Sequence, residues 1–318
     1  MTSECIAGLV SVVVPVYNRE HMVGKTLDSI LCQSYQQVEV VAVNDGSTDN
    51  SLAVLMRYAE MHPGKVKVID QGNAGQVKAR NRGLSEAQGE FIAFLDSDDT
   101  WEADKLSLQI PLLKGNVGLV YSGINEVDPG GNVIRTILPE PGMRGDIYRY
   151  LLVSNRMTGG AVVVSRRALA AVGVFDESFR AAENWDLWIR IARHFEVDYV
   201  DRPLVNYLKH PGNMSQDNSR MMQGAWSVLQ KHLPGIPDDD GLKASYQEAY
   251  ARYYYGQGVS LFGQEKYREA RSMFYQCWKY MPNYQDTLMR LLRTIIGRRA
   301  NRMLSMIKRS VKTPSMKL

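Results

Sequence analysis

The sequence has little cysteine. Its three cysteines, Cys5, Cys32 and Cys277, are scattered and odd in number. That speaks against a disulfide framework or a thiolate metal cage and fits a reducing compartment. Long hydrophobic runs are also missing. No window approaches the ~18 uninterrupted apolar residues of a membrane span, so none is expected. The opening MTSECIAGLVSVVVPVYN has no basic n-region, and its apolar stretch reads as a strand rather than a secretory signal. Acidic residues are absent from Leu288 to Leu318, where nine basic ones accumulate: Arg290, Arg293, Arg298, Arg299, Arg302, Lys308, Arg309, Lys312 and Lys317. The net charge of +4 therefore hides a mildly acidic body and a basic tail, whose partner is expected to be anionic. A composition of 45% hydrophobic and 23% charged residues excludes disorder, collagen and coiled coil as descriptions of the whole chain. The 318 residues allow about two compact domains.

Residues 1–100 alternate strand and helix signals. Ser11–Val16 and Val38–Asn44 are β-branched runs of buried-strand length, and between them Val23, Leu27, Ile30 and Leu31 recur at helical spacing. A second helix is predicted after the N-cap residue types Thr48-Asp49-Asn50, a short strand over Val66–Ile69, a helix over Ala74–Ala87 and a strand over Glu90–Leu95. Continuously apolar strands alternating with helices predict an α/β fold with a mostly parallel sheet covered on both faces. Ligands then bind beyond the carboxyl ends of the strands, where Tyr17-Asn18, Asp45 and Asp96–Asp99 fall.

From Trp101 to Ser215 the pattern is mixed, with strands predicted over Leu119–Ile124, Val133–Ile137, Ala161–Val164 and Val197–Val205 and a helix over Trp185–Phe195. Leu233–Gly241 reads as a linker. Beyond it everything reads as helical. Tyr254, Gly258, Tyr267, Ala270, Phe274, Cys277 and Pro282 match the small and aromatic offsets of one tetratricopeptide unit of about 34 residues. A single unit cannot bury its own face, so it is expected to pack on neighbouring helices rather than form a peptide-binding array.

Asp96-Ser97-Asp98-Asp99 carries the chemistry. Carboxylates crowded on one tight loop repel each other unless a cation or a donor sits among them. Oxygen ligands suit a hard cation, Mg²⁺ or Mn²⁺, which in turn suits a diphosphate. An exposed helix-capping turn explains the same residues, and alone the triplet decides nothing.

The order of segments is more specific. VSVVVPVYNRE, VAVNDGSTDN, NAGQVKARNRGL and GEFIAFLDSDDTW are followed by GGAVVVSRRALAAVGVFDESF, ENWDLWIRIA and YLKHPGNMS. This arrangement, over roughly residues 9–215, resembles the family-2 glycosyltransferases. The resemblance implies a GT-A fold, a Rossmann-like nucleotide-diphospho-sugar transferase architecture, here followed by an all-α C-terminal region. The expected division is 1–100 for the donor half, 101–232 for the acceptor half and 242–318 for the helical region.

The resemblance also implies roles. Pro15 and Tyr17 line the nucleobase pocket, and Asp45 accepts a hydrogen bond from a uracil imide. Arg80 meets either the donor diphosphate or, as an internal salt bridge, the acidic loop. Asp96 contacts ribose and metal, Asp98 is the principal metal ligand, and His210 either completes the metal shell or forms a surface turn. The cation neutralises charge developing on the leaving nucleoside diphosphate.

An acceptor hydroxyl needs a base. The family takes it from an acidic pair before a Trp-rich helix, but here the pair is Glu183-Asn184, and an amide accepts no proton near neutral pH. Either Glu183 or Asp186 acts instead, or the chain binds donor without turnover as a binding or scaffolding protein, or a base has been silenced by engineering. Trp188 is expected in the core, with Trp101 and Trp185 open between core and sugar stacking.

The expected reaction is inverting transfer from a UDP-sugar to a saccharide, commonly lipid-linked, in bacterial surface polysaccharide synthesis. In the tail, Leu291, Ile295, Met303 and Ile307 fall near one helical face among the basic residues. Such a helix lies in an anionic membrane interface. The chain is therefore expected in the cytoplasm, peripheral on the inner membrane. Nucleic acid is not expected, because no recognition motif accompanies the charge.

Overall fold

A computed structural model describes residues 5–210, 212–213 and 217–295. These form two compact units that divide within one helix, between Gly224 and Ala225, with residues 152–154 grouping with the second.

The first unit is built on a nine-stranded sheet. Its N-terminal half runs β1 (Ile6–Val16), α1 (Val23–Leu31), β2 (Val38–Asp45), α2 (Ser51–Met61), β3 (Val66–Gln71), α3 (Gln76–Glu86) and β4 (Gly89–Phe94). The β-branched runs form the central strands because they are buried on both faces: every residue of β1 from Val10 to Val16 is buried. Helix α1 inserts Val23, Leu27 and Ile30 into this core, the stripe its spacing predicts.

The rest of the unit comprises β5 (Thr100–Trp101), α4 (Lys105–Gln109), β6 (Val117–Val127), β7 (Val133–Ile137), α5 (Tyr148–Val153), β8 (Val163–Ser165), α6 (Arg166–Val172), α7 (Glu183–Ala192) and β9 (Glu196–Leu208). The sheet order is β3-β2-β1-β4-β8-β6-β9-β5, with β7 paired to β6.

The first four strands are parallel, but β8 runs antiparallel to both β4 and β6. The sheet is therefore more mixed than its sequence predicts. The chain reaches β8 from β7 by way of α5 and enters between β4 and β6 against the direction of both. Strand direction along the chain reverses its lateral path at β1, which lies between β2 and β4. That switch point opens a crevice at the carboxyl ends of the strands.

Behind the crevice a polar strut fixes the middle of the sheet. Fully buried Lys105 donates to Gln109 Oε1 at 2.6 Å, and its amine lies 4.1 Å from the Trp101 ring centroid. Gln109 Nε2 donates to the carbonyls of Val120 and Ala161, and Trp101 Nε1 to that of Gly160. Burial holds the Lys105 amine well below its ordinary range. Trp101 is thus a core residue, as is Trp188.

The boundary between the units falls within α8 (Asn218–His232); in the second unit, α9 (Asp240–Gly263) and α10 (Tyr267–Tyr280) form the hairpin that the tetratricopeptide offsets predict. Asp239 caps α9 by accepting from Leu242 N. Ala270, Phe274 and Cys277 are buried, and Gly258 allows the close approach: a Cβ there would stand 2.6 Å from Phe274 Cε1. Helix α11 (Thr287–Ile295) packs against α10. The rest of the basic tail, with Met303 and Ile307, lies outside the described residues. No helix among the described residues is long and apolar enough to cross a membrane.

Candidate active site

The crevice at the strand ends is a cleft of about 360 Å³. Strand β1 delivers Pro15, Val16 and Tyr17, β2 delivers Asp45, the turn before α3 gives Asn73, Gly75 and Gln76, and the loop after β4 gives Asp96, Ser97 and Asp98. Tyr207, Gly212 and Asn213 close the far side. Of the expected donor residues, Pro15, Tyr17, Asp45 and Asp96 all line it.

Tyr17 is 46% exposed in the cleft, the reverse of a core aromatic. Its position is held from below. Asn18 adopts a left-handed conformation at φ 53°; its amide donates to Ser47 Oγ, and its Oδ1 accepts from Thr48 N at 2.8 Å. A non-glycine residue tolerates this region best when, like Asn, it bonds locally. Asp45 is buried and accepts from Gln71 Nε2, Ala74 N and Gly75 N, each at 2.8 Å. It therefore fixes the turn entering α3 while also facing the cleft, so the anchor of the turn and the pocket wall are one residue.

The acidic loop is divided among several cations and donors. Asp96 Oδ1 accepts from Gln76 Nε2 at 2.9 Å and from Arg80 Nη2 at 2.6 Å. Asp98 Oδ2 lies 3.3 Å from Arg19 Nε and 2.9 Å from His210 Nε2. Asp99 turns inward, accepting from Leu208 N at 3.0 Å. Burial, with Asp96 and Asp98 beside it, pushes its carboxyl well above the usual range. Asp99 is thus a structural group that ties the loop to β9.

Arg80 takes the internal ion pair rather than a place on the cleft wall. It is fully buried, and its Nη1 donates to Glu183 Oε1 at 2.5 Å while Nη2 holds Asp96. Burial opposes its charge, but Asp96 and Glu183 outweigh it and raise the guanidinium above its ordinary value. One cation thereby joins the donor-side loop to the first residue of α7.

Among the described residues, four buried polar atoms have no partner, all on or near that helix: Arg80 Nε, Thr158 Oγ1, Asn184 Oδ1 and Trp188 Nε1. The Asn184 amide lies against Gly159, where an added Cβ would be 3.1 Å from Nδ2. Buried polar atoms are normally satisfied, and such exceptions gather at functional sites.

Asp186 is corrected by the structure. It is fully buried and bound by Arg190 at 3.0 Å, which also donates to the carbonyls of Val172 and Val174. A carboxylate enclosed in this way has no route to an acceptor hydroxyl. Asp186→Ala is accordingly expected to lower stability by about 2 kcal/mol, the cost of losing a buried charged hydrogen-bond acceptor and leaving the partly buried Arg190 without its anion. Thermal and urea denaturation check this, and unchanged stability would contradict it. Trp185 is half-buried, its Nε1 donating to the Leu151 carbonyl at 2.5 Å. That bond fixes the ring against the neighbouring helix.

Sequence reasoning passed over Arg19, Gln76, Tyr207 and Asn213. Arg19 directly follows the YN pair, and Gln76 opens α3, so both sit where strand ends meet the cleft; Tyr207 and Asn213 lie in the segment YLKHPGNMS, in which only His210 is given a role by the resemblance. Among the described residues, no three metal-ligating side chains converge. The donor set nonetheless fits a divalent cation: Asp98 and His210 offer a carboxylate and an imidazole 2.9 Å apart at the cleft. Two protein ligands suit Mg²⁺ or Mn²⁺ when substrate phosphates supply others.

These features agree with comparisons to known proteins. The family model described as glycosyl transferase family 2 matches residues 11–173, about half of the chain. A relative is the Escherichia coli UDP-Glc:alpha-D-GlcNAc-diphosphoundecaprenol beta-1,3-glucosyltransferase WfgD, 29% identical over 70% of this chain and 85% of its own length. The amylovoran biosynthesis glycosyltransferase AmsB of Erwinia amylovora is 31% identical over 62% of this chain and 68% of its own. An uncharacterized glycosyltransferase of Rickettsia conorii is 28% identical over 74% of this chain, which spans only 40% of that relative's length.

Two solved structures share the architecture. S. aureus TarS 1-349 in complex with UDP-GlcNAc superposes with TM-score 0.64 at 18% identity, covering 86% of this chain and 82% of the other. The mannosyltransferase PcManGT from Pyrobaculum calidifontis, in complex with GDP-Man and Mn2+, gives 0.62 at 20%, covering 93% and 83%. With its strand-end cleft, its ordered motifs and the GT-A architecture of these neighbours, the chain belongs to glycosyl transferase family 2.

Proposed function

We propose that the chain is an inverting glycosyltransferase moving a sugar from a UDP-sugar to a hydroxyl of a lipid-linked saccharide in bacterial surface polysaccharide synthesis. The observation that carries this is the convergence of Tyr17, Asp45, Asp96 and Asp98 on one cleft. Tyr17 stacks on the nucleobase. Asp45, an acceptor-only carboxylate already oriented by three donors, takes the imide N–H of uracil. Asp96 receives the ribose side. Asp98 and His210 hold Mg²⁺ or Mn²⁺, which when bound supplies positive charge for the leaving diphosphate. WfgD, by its name, uses UDP-Glc and a diphosphoundecaprenol acceptor, and it supports the same classes here.

Glu183 is the acid left to take the acceptor's proton, since Asp186 is enclosed and Asn184 is an amide. Arg80 keeps Glu183 in place from Oε1, and the unpartnered Asn184 Oδ1 and Thr158 Oγ1 offer hydrogen bonds to sugar hydroxyls. Asn184 also favours a second reading, in which the chain binds the donor but does not turn it over. The basic tail binds the chain to the anionic cytoplasmic face of the membrane, the surface on which a lipid-linked acceptor resides.

The test is thermal stabilisation by UDP-sugars with Mn²⁺ and with EDTA, because a ligand of the native state raises the melting point by mass action. Stabilisation by uridine but not cytidine diphosphate is expected. Indifference to every nucleotide would refute the donor assignment. In the same assay Tyr17→Ala is expected to weaken UDP binding by about 1–3 kcal/mol, the worth of one base–aromatic stack. Its own melting point should not move, because the ring is exposed.

A further inference from the structure

Helix α11 is amphipathic with its faces reversed. Its buried residues are Thr287 and Thr294, whereas Leu288, Met289, Leu292 and Ile295 are exposed by 58%, 60%, 52% and 63%. The inward side is a satisfied polar seam. Thr287 Oγ1 bonds to the Tyr284 carbonyl and to Cys277 Sγ, and Arg271 donates to Thr294 through both Nε and Nη2. Arg290 is held by Asp286 and Tyr255. The apolar residues recur at i, i+4 and i+7 with Met289 beside them, which makes one continuous outward stripe. A soluble helix normally turns this stripe to the core, and an exposed one of this kind marks an interaction surface.

We infer that the outward face of α11 is a membrane-docking surface for an anionic bilayer, with Leu288, Met289, Leu292 and Ile295 entering the headgroup–acyl boundary. Charge identifies the occupant. The stripe lies in the segment from Leu288 to Leu318, which carries nine basic residues and no acidic one. An apolar stripe within a uniformly cationic segment matches an anionic lipid surface in both its components. A protein partner with an apolar groove answers the stripe but leaves the cationic excess unexplained. The inference deepens the tail reading given under Proposed function and rests on it for orientation. It differs in placing the contact on Leu288, Met289, Leu292 and Ile295 instead of the face through Leu291, Ile295, Met303 and Ile307 that the spacing suggests: Leu291 is half-buried, and Met303 and Ile307 lie outside the described residues.

The test is co-sedimentation of the full chain with phosphatidylcholine vesicles, alone or mixed with phosphatidylglycerol. Two variant sets separate the contributions: Leu288→Gln with Leu292→Gln on the stripe, and Arg298→Gln, Arg299→Gln and Arg302→Gln in the tail. The stripe variant is expected to lose about tenfold or more in partitioning to mixed vesicles, from apolar area no longer removed from water. What binding remains should still weaken with salt. The tail variant, with three of the nine basic residues replaced, should bind less and lose about a third of its salt dependence. Melting point and UDP-induced stabilisation should be unchanged in both, since every replaced stripe residue is exposed. If the stripe variant partitions like wild type while the tail variant does not, the helix-face inference is overturned and the tail reading stands. Absence of wild-type binding to mixed vesicles overturns both. Concentration-dependent self-association that the stripe variant abolishes, without vesicle binding, would make the face a contact between copies and overturn the lipid assignment.

Discussion

Asp98→Ala is expected to abolish metal-dependent donor binding and to lower turnover by about 10²–10³-fold, the scale of removing one preorganised group at a centre of developing charge. Asp98 lies on the cleft loop, and among the described residues its carboxylate is partnered by Arg19 and His210. Both are half-buried and can rehydrate when it is removed, so the fold should survive and the melting point should change little. The measurement is UDP affinity with Mn²⁺ and with EDTA. Wild type should show a large difference between the two, and the variant little or none. Asp96→Ala should be milder for metal but harsher for stability, because it removes one of two anions from buried Arg80. A variant at Asp98 that keeps full Mn²⁺-dependent affinity would remove the metal assignment.

Glu183→Gln is expected to cost about 10²–10⁴ in turnover, the range of general-base catalysis, with KM nearly unchanged. The amide keeps the shape of Glu183, and Arg80 retains Asp96, so a purely structural effect would appear as a lower melting point instead. Adding Asn184→Asp to Glu183→Gln should restore much of the rate, because it returns a carboxylate to the position the family uses. If the wild type shows no turnover and Asn184→Asp alone creates it, the second reading is correct and the protein binds without transferring. A wild type that turns over and is indifferent to Glu183→Gln would end the carboxylate argument.

Much of the first unit was legible because its signals are local. Apolar β-branched runs can be satisfied only as strands buried on both faces, and the residues after each strand must line the crevice. The positions of Tyr17, Asp45, Asp96 and Asp98 at strand ends followed from that, and their roles from the resemblance carried by the ordered segments. The antiparallel insertion of β8 was not legible, since three residues of strand carry no sign of direction. Nor was the fate of Asp186, an acid in the first turn of a helix, where an exposed dipole partner and a buried ion-pair partner look alike in sequence. Only the placement of Arg190 and the carbonyls of Val172 and Val174 decides between them. Arg80 posed the same problem: its two anions lie 16 and 103 residues away. In α11 the spacing of apolar residues was visible, but the helical period gives a stripe without saying which way it faces.

The long spans between partners in the cleft have a consequence for the order of folding. Arg80 meets Glu183 across 103 residues, Asp99 meets Leu208 across 109, and Asp98 meets His210 across 112. Closing such loops costs chain entropy that no nearby contact repays, so these pairings form late. The β1–β4 half, whose neighbours are close in sequence, is expected to assemble first. It carries Arg19 and Arg80, which counter Asp98 and Asp96, but Arg80 then lacks Glu183, Asp99 lacks its donor Leu208 N, and Asp98 lacks His210. Donor binding therefore reports completion of the whole first unit, and a chain halted midway presents most of the sheet but no working cleft.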